Sequence, residues 1–303
     1  MTETTAERDP HDIRVAINIG APGADDGQII WSLRKNANDL HKQGVLVRRP
    51  GLYRQDLKSK AEAASKTPPS DDDRRQFLQS MVKGQEMSRI VLSDNSYFGL
   101  PVWMLGGGQL FRNAARNISN LASLFYPGQV ELFLSIQNPA TLIPEVFAAQ
   151  SSVDWKGFLR GADLGSLFWS DVIADISEAL PDVPITVWAQ EETPMIWPEV
   201  LGAVSGMPAE YPFLGANDVI GKVISAEGTA RLEKYLAEHK FDAKHQAQVR
   251  ATFLKYFCIE EALEEEIDLP GWSQALVDEL TELYYDDFNR LHELKNVRII
   301  EQI

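Results

Sequence analysis

Cysteine is nearly missing from this chain, with one residue, Cys258, in 303. A lone thiol excludes an intramolecular disulfide framework and suits a reducing compartment, so a cytoplasmic setting is expected. Its neighbours are apolar, which fits an inert buried thiol better than a reactive one. No apolar run approaches the roughly 18 residues needed to span a bilayer, and the N-terminal stretch is polar, so neither anchor nor signal peptide is expected. Histidines are scarce and scattered: His11, His41, His239, His245 and His292 show no HxxxH or HExxH spacing, and no metal site is expected. There is no G-x-S-x-G elbow for a nucleophilic serine and no G-x(4)-G-K-[ST] loop for a nucleotide triphosphatase. Positive charge is also short, 29 Lys and Arg against 44 Asp and Glu, a balance of -15 that speaks against nucleic acid and anionic membranes as partners.

What is present suffices for a full hydrophobic core, since 44% of the residues are hydrophobic. After a polar tail, 1–12, expected to be disordered, 13–303 reads as a single α/β domain that turns helical from 225 onward. The chain is organised around Arg14 to Val45. Arg14 to Ile19 reads as a buried strand ending at Gly20, and Gly20 to Gly27 as a loop. Ile29, Ile30, Leu33 and Leu40 then recur at helical spacing as one amphipathic helix, with Gly44 as its left-handed cap. A strand, tight loop and helix in this order place loop N–H groups and the positive end of a helix dipole at one spot, suited to an anion.

Further strands are read at Val45 to Val47, Arg89 to Ser93, Val130 to Ile136, Pro184 to Trp188 and Val297 to Ile300. Helices are read at Arg74 to Lys83, Arg112 to Phe125, Gln137 to Ala149, Asp154 to Leu159, Trp169 to Leu180, Ser225 to His239, Asp242 to Phe257 and Ser273 to Leu294. The last carries Leu276, Leu280, Leu283, Leu291 and Leu294 as its core stripe. Lys58 to Asp73, with two prolines and three aspartates, reads as a mobile segment whose aspartates open the next helix. Gly106 to Gly108 reads as a flexible turn rather than a phosphate loop, and Thr193-Pro194 as a helix cap. Glu191 and Glu192 suit either an acid–base pair or the start of that helix. Asp25 and Asp26 suit either a hard cation or helix capping, with Gln28 completing a capping box. Charge is uneven: 259–303 holds 13 acidic and 3 basic residues, either a solvated helical face or a docking face for a basic partner. Arg34 to Lys60 is conversely rich in lysine and arginine.

Gly20, Pro22, Leu33, Asn36, Leu40, Gly44 and Val45 fall without gaps on the pattern G-x-P-K-[ST]-G-[ST]-[ST] … L-x-x-N-x-x-x-L-x-x-x-G-V, and here the chain resembles the bacterial sulfotransferases. The resemblance implies a three-layer α/β fold with a central, mainly parallel sheet of the P-loop NTPase and sulfotransferase kind, with a helical C-terminal region. It also implies a site for 3'-phosphoadenosine 5'-phosphosulfate formed by Gly20, Pro22, Gly23, Ala24, Asp25, Asp26, Gly27, Gln137 and Glu145. Gly23 stands where the family has the lysine for the 5'-phosphosulfate, and Ala24 to Gly27 replace its small hydroxylic and glycine positions. In the pattern R-[DN]-P-x(5)-S-x-[YW], Asn138, Pro139 and Phe147 fit, but Gln137 replaces the arginine and Glu145 the serine. Val91 to Gly99 is similar to the segment presenting the family's acidic base; its glutamate position holds Asn95, beside Asp94. Pro270-Gly-Trp272 is similar to a C-terminal segment of related bacterial proteins.

An aspartate about 5 Å from a phosphate charge costs about 3 kcal/mol at an effective dielectric near 20. A protein with no cofactor is therefore expected: a sulfotransferase-like binding or regulatory scaffold that has lost catalysis, its partner an unidentified small molecule or protein. The alternative is an active enzyme sulfating a small-molecule or glycan hydroxyl, with cations supplied by Arg112, Arg116 or the segment from Arg48 to Lys60, and Asp94 as base.

Overall fold

A computed structural model of the chain describes residues 12–23, 27–259 and 268–302. Its strands are β1 (Arg14–Gly20), β2 (Val45–Val47), β3 (Arg89–Ser93), β4 (Val130–Ile136), β5 (Ile185–Ala189) and β6 (Val297–Ile299). They form one sheet in the order β2-β3-β1-β4-β5-β6, and every neighbouring pair is parallel. Parallel strands covered on both faces must be apolar on both, which is why β1, β3 and β4 read as nearly continuous apolar runs. Val15, Ile17 and Ile19 of β1 point into one core layer, and Ala16 into the other.

Between the strands lie α1 (Gln28–Lys35), α2 (Ala37–Lys42), α3 (Arg54–Ala64), α4 (Asp71–Val82), α5 (Ala114–Ala122), α6 (Pro139–Ala148), α7 (Trp155–Leu159), α8 (Trp169–Ala179) and α9 (Thr193–Ser205). Three further helices, α10 (Ala226–Glu238), α11 (Ala243–Phe257) and α12 (Gln274–Arg290), precede β6. Helices α1 and α9 cover one face through Ile29, Ile30, Leu33, Val200, Leu201 and Val204. The other face is covered by Leu57 of α3, Phe77 of α4, Ile118 and Leu121 of α5, Ile173 of α8 and Leu280 of α12. The result is the expected three-layer α/β arrangement around a parallel sheet. Among the described residues, no helix is long and apolar enough to cross a membrane.

Several local expectations are corrected. The single helix expected after the first loop is two, α1 and α2, broken at Asn36 (φ -99°, ψ 6°). The Asn36 side chain donates to the carbonyls of Ser32 and Leu214, each at 3.0 Å, and accepts from the Leu214 N–H at 2.7 Å. These bonds tie the break to a distant loop. Helix α1 takes Gly27 as N-cap, with no side-chain cap, rather than a capping box starting at Asp25; Asp25 itself lies outside the described residues. Lys58 to Ala64, read as mobile, belongs to α3, pinned by buried Leu57 and Ala61. The aspartates after it do open a helix, α4, where Ser70 and Asp73 form a reciprocal capping box. Thr193 is the first residue of α9 rather than its cap, a position held by Glu192 after a short 3₁₀ turn. Along α12 the fully covered positions are Leu280, Tyr284 and Asp287, and Leu283 is half-buried.

Candidate functional site

The chain leaves β1 toward β2 on one side and later passes from β3 to β4 on the other, so the order of strands reverses around β1. Crevices open at the carboxyl ends of strands at such a reversal. All three sequence segments singled out above sit there, at the ends of the neighbouring strands β3, β1 and β4.

Strand β1 ends at Gly20 with φ +118°, and a Cβ there would stand 2.9 Å from Cβ of Asn95, so the close approach of the two loops requires glycine. The Ala21 N–H donates across to the Ser135 carbonyl at 3.0 Å, and Pro22 is buried. Gly23 is exposed, but its φ is +92° and a Cβ would lie 3.2 Å from Leu142 and 3.3 Å from Val146 on α6. The turn therefore leans on the apolar flank of α6. Gly27 has φ +77°. Ala24, Asp25 and Asp26 lie outside the described residues.

At the end of β4, Gln137 donates through Nε2 to Oε2 of Glu145 at 2.7 Å and to Oγ1 of Thr141 at 3.3 Å. The intervening Asn138-Pro139 starts α6: the Asn138 side chain accepts from the Ala140 N–H at 2.9 Å, and Pro139 sits in the first turn where its missing N–H is not needed. The helix turn thus brings two positions eight apart into contact. A carboxylate and a neutral amide meet where the resemblance implies an arginine and a serine on a phosphate.

Asp94, at the end of β3, is buried and caps the 3₁₀ turn Asn95–Phe98, accepting from the Ser96 N–H at 3.0 Å. Its other oxygen lies 4.0 Å from Nε of Arg54, which also donates to the Ser93 carbonyl at 3.0 Å. Tyr53 closes the same strand end, its hydroxyl donating to the Ser93 carbonyl at 3.1 Å and accepting from the Ser93 N–H at 2.7 Å. Burial pushes that phenol up to about 12.

Glu191, just past β5, is part of a seat for α12 rather than a free acid–base pair. Its carboxylate accepts from the Asn138 N–H at 2.7 Å and the Tyr284 hydroxyl at 3.1 Å, and Asn138 Nδ2 donates to Thr281 at 2.9 Å. Glu192 accepts from the Gln302 N–H at 3.1 Å. Lower on α12, Asp287 accepts from the N–H groups of Trp169 (2.6 Å) and Ser170 (3.1 Å) and from the Ser170 hydroxyl, capping α8 from another helix. Desolvation holds its carboxyl above the ordinary range. Trp272, from the Pro270-Gly-Trp272 segment, is buried and donates to the Ala140 carbonyl at 3.3 Å.

The larger feature is a cleft of about 790 Å³ between α3, the loop after β3 and the start of α5, a volume suited to a small organic molecule. Phe98, Phe111 and half-exposed Trp103 give it aromatic walls, and Arg160 stacks over Trp103 at 3.7 Å. Lys58, Arg112 and Arg116, with Glu62, are its charged lining, and none of the three cations forms an ion pair with a described residue. Arg112 lies against Gly107, whose missing Cβ would stand 2.7 Å from Nη1; this gives the Gly106 to Gly108 turn a packing role. Phe111 holds φ +43°, costing on the order of 1–3 kcal/mol for a bulky residue. Tyr97, 6% exposed, is a lining residue, and its buried hydroxyl has no hydrogen-bond partner among the described residues. Burial, then Asp94 and Glu62, push that hydroxyl's pKa upward. Arg112 and Arg116 are visible in the sequence as an i, i+4 pair beside Asn113, Asn117 and Asn120, a polar stripe opposite Ile118 and Leu121. Joining that stripe to Lys58 required the fold.

No family model matches the chain, and no curated protein matches it. Among solved structures, a sulfotransferase from Alicyclobacillus acidocaldarius is similar over 83% of this chain and 99% of that one, at 9% sequence identity and a TM-score of 0.36.

Proposed function

We propose that this protein is a sulfotransferase-type scaffold that works by binding rather than by sulfuryl transfer, its nucleotide donor site reassigned. The reading is carried by the 2.7 Å hydrogen bond between Gln137 and Glu145. Where a 3'-phosphate would need a cation, the Gln137 amide donates to Glu145, and a carboxylate faces the incoming anion at a cost of about 3 kcal/mol for charges 5 Å apart. Gly23 supports the same reading from the other phosphate, since it offers no charge and its φ of +92° suits no lysine. The residues present therefore do not fit a phosphosulfate nucleotide. Asp94, capping a turn beside Arg54, is occupied with structure rather than poised on an acceptor.

The alternative, an active enzyme with an atypical donor loop, draws on the cations Lys58, Arg112 and Arg116, but these line a cleft to which the described residues of the 20–27 turn do not contribute. Thermal-shift and calorimetric titration with 3'-phosphoadenosine 5'-phosphate separates the two readings. A site with a Kd of 10 μM would stabilise the fold by about 2.7 kcal/mol at 1 mM nucleotide, a rise of several degrees in melting temperature. We expect no rise; a micromolar Kd overturns the proposal.

A further inference from the structure

We infer that the cleft between α3 and α5 is a binding site for a small organic anion with a flat apolar body, such as an aryl carboxylate. The site stands apart from the donor-site reading, because none of the described residues of the 20–27 turn lines it. Four observations point the same way. The chain carries a net charge of -15, yet the charged lining of the cleft is three cations against one carboxylate. Clustering scarce positive charge without ion-pair partners is unfavourable for the free protein through mutual repulsion, and a bound anion relieves it. Arg112 and Arg116 each present a planar fork of donors that matches a carboxylate.

The second observation is the apolar lining. Trp103 and Leu100 are 54% and 67% exposed at the mouth, and Phe98 and Phe111 lie behind them. A flat apolar body covering Trp103 and Leu100 removes their exposed apolar surface from water, while its head group meets the cations. Third, the start of α5 adds the positive end of a helix dipole on the same side as Arg112 and Arg116, and its N-cap Asn113 has no side-chain capping bond and faces the cleft instead. Fourth, the hydroxyl of Tyr97, a lining residue, is a buried donor without a partner among the described residues, which is uncommon unless a ligand or water supplies the acceptor.

The test uses the full chain, with 2-naphthoate as probe and the neutral 2-naphthamide as its matched control, followed by titration calorimetry and Trp fluorescence. A Kd on the order of 0.1 mM is expected for the carboxylate, in keeping with a ligand of that size. The amide should bind at least tenfold more weakly, and raising the salt should weaken the carboxylate alone. Arg112→Gln with Arg116→Gln should lower naphthoate affinity tenfold or more; if that protein melts early, exposed Lys58→Gln offers a second variant. Tyr97→Phe should weaken binding severalfold with an unchanged melting temperature. Equal binding of acid and amide, full affinity in the charge variants, or no binding at 5 mM probe overturns the inference. Nucleotide titration in the same series reports on the donor site separately, so either idea can fail alone.

Discussion

Putting arginine back at position 137 is the direct way to test whether the donor site is closed by charge, and the structure says that the obvious single substitution will fail. Gln137 already lies 2.7 Å from Oε2 of Glu145, so a guanidinium there would be captured by that carboxylate as a partly buried ion pair. Gln137→Arg alone should leave 3'-phosphoadenosine 5'-phosphate affinity undetectable. In Gln137→Arg with Glu145→Ser the carboxylate is gone and the cation is released toward the donor-site crevice at the strand ends. Replacing a repulsion by an attraction at about 5 Å is worth about 3 kcal/mol for each change at an effective dielectric near 20. Screening and exposure reduce this, but at least a hundredfold gain over the single variant is expected. Calorimetry at low salt reads it directly. The reasoning is refuted if the single variant gains as much as the double, because the local pairing with Glu145 would then not govern the site. Adding Gly23→Lys should help less than its charge suggests, since a lysine at φ +92° with its Cβ 3.2 Å from Leu142 is strained and must move the turn.

Two other outcomes follow from the same geometry. Gly20→Ala places a Cβ 2.9 Å from Cβ of Asn95 at φ +118°, and should cost on the order of 1–3 kcal/mol in urea unfolding; a neutral result would mean that the two loops are not held together as described. Burial raises the carboxyl pKa of Glu199 and Asp287 in the folded state, so the native chain holds those protons more tightly than the unfolded one. Their contribution to stability is whole below the unfolded value and is lost as pH rises through the folded value. The parent's melting temperature should therefore fall more steeply from the ordinary carboxylate range toward neutrality than that of Glu199→Gln or Asp287→Asn, and identical slopes would refute the assignment.

The sheet was largely legible because burial on both faces imposes continuous apolar runs: Arg89 to Ser93 and Val130 to Ile136 are read and found with the same ends. The break at Asn36 was not legible, since its cause is a set of bonds to Leu214, far away in sequence. In the sequence, the helix over Lys58 to Ala64 is obscured by the nearby Pro68, Pro69 and aspartates, although Lys, Glu and Ala favour helix and Leu57 and Ala61 supply the buried face. At the site, the sequence could report what stands at positions 137 and 145 but not that they bond each other, which depends on the tight turn from β4 into α6. The cleft depends on α3, a loop and α5 meeting, and no local pattern contains it.

The residues that carry the resemblance each have a packing reason in this chain, and that bears on what the resemblance can mean. Leu33 and Leu40 are fully buried and Val45 nearly so. Asn36 bonds three backbone groups, and Gly44 takes φ +79° with Ser88 2.9 Å from where its Cβ would be. Asn138 caps α6 and Pro139 begins it. All of these are needed to hold the strand ends in place whether or not a nucleotide ever binds, so they would be retained after a loss of catalysis as readily as with it. The pair Gln137 and Glu145, bonded to each other, does not share that constraint, and there the charge pattern is free to follow the ligand. On the proposed reading, the ligand is therefore decided at that pair and at the cations of the cleft between α3 and α5, where substitutions change affinity without first dismantling the sheet.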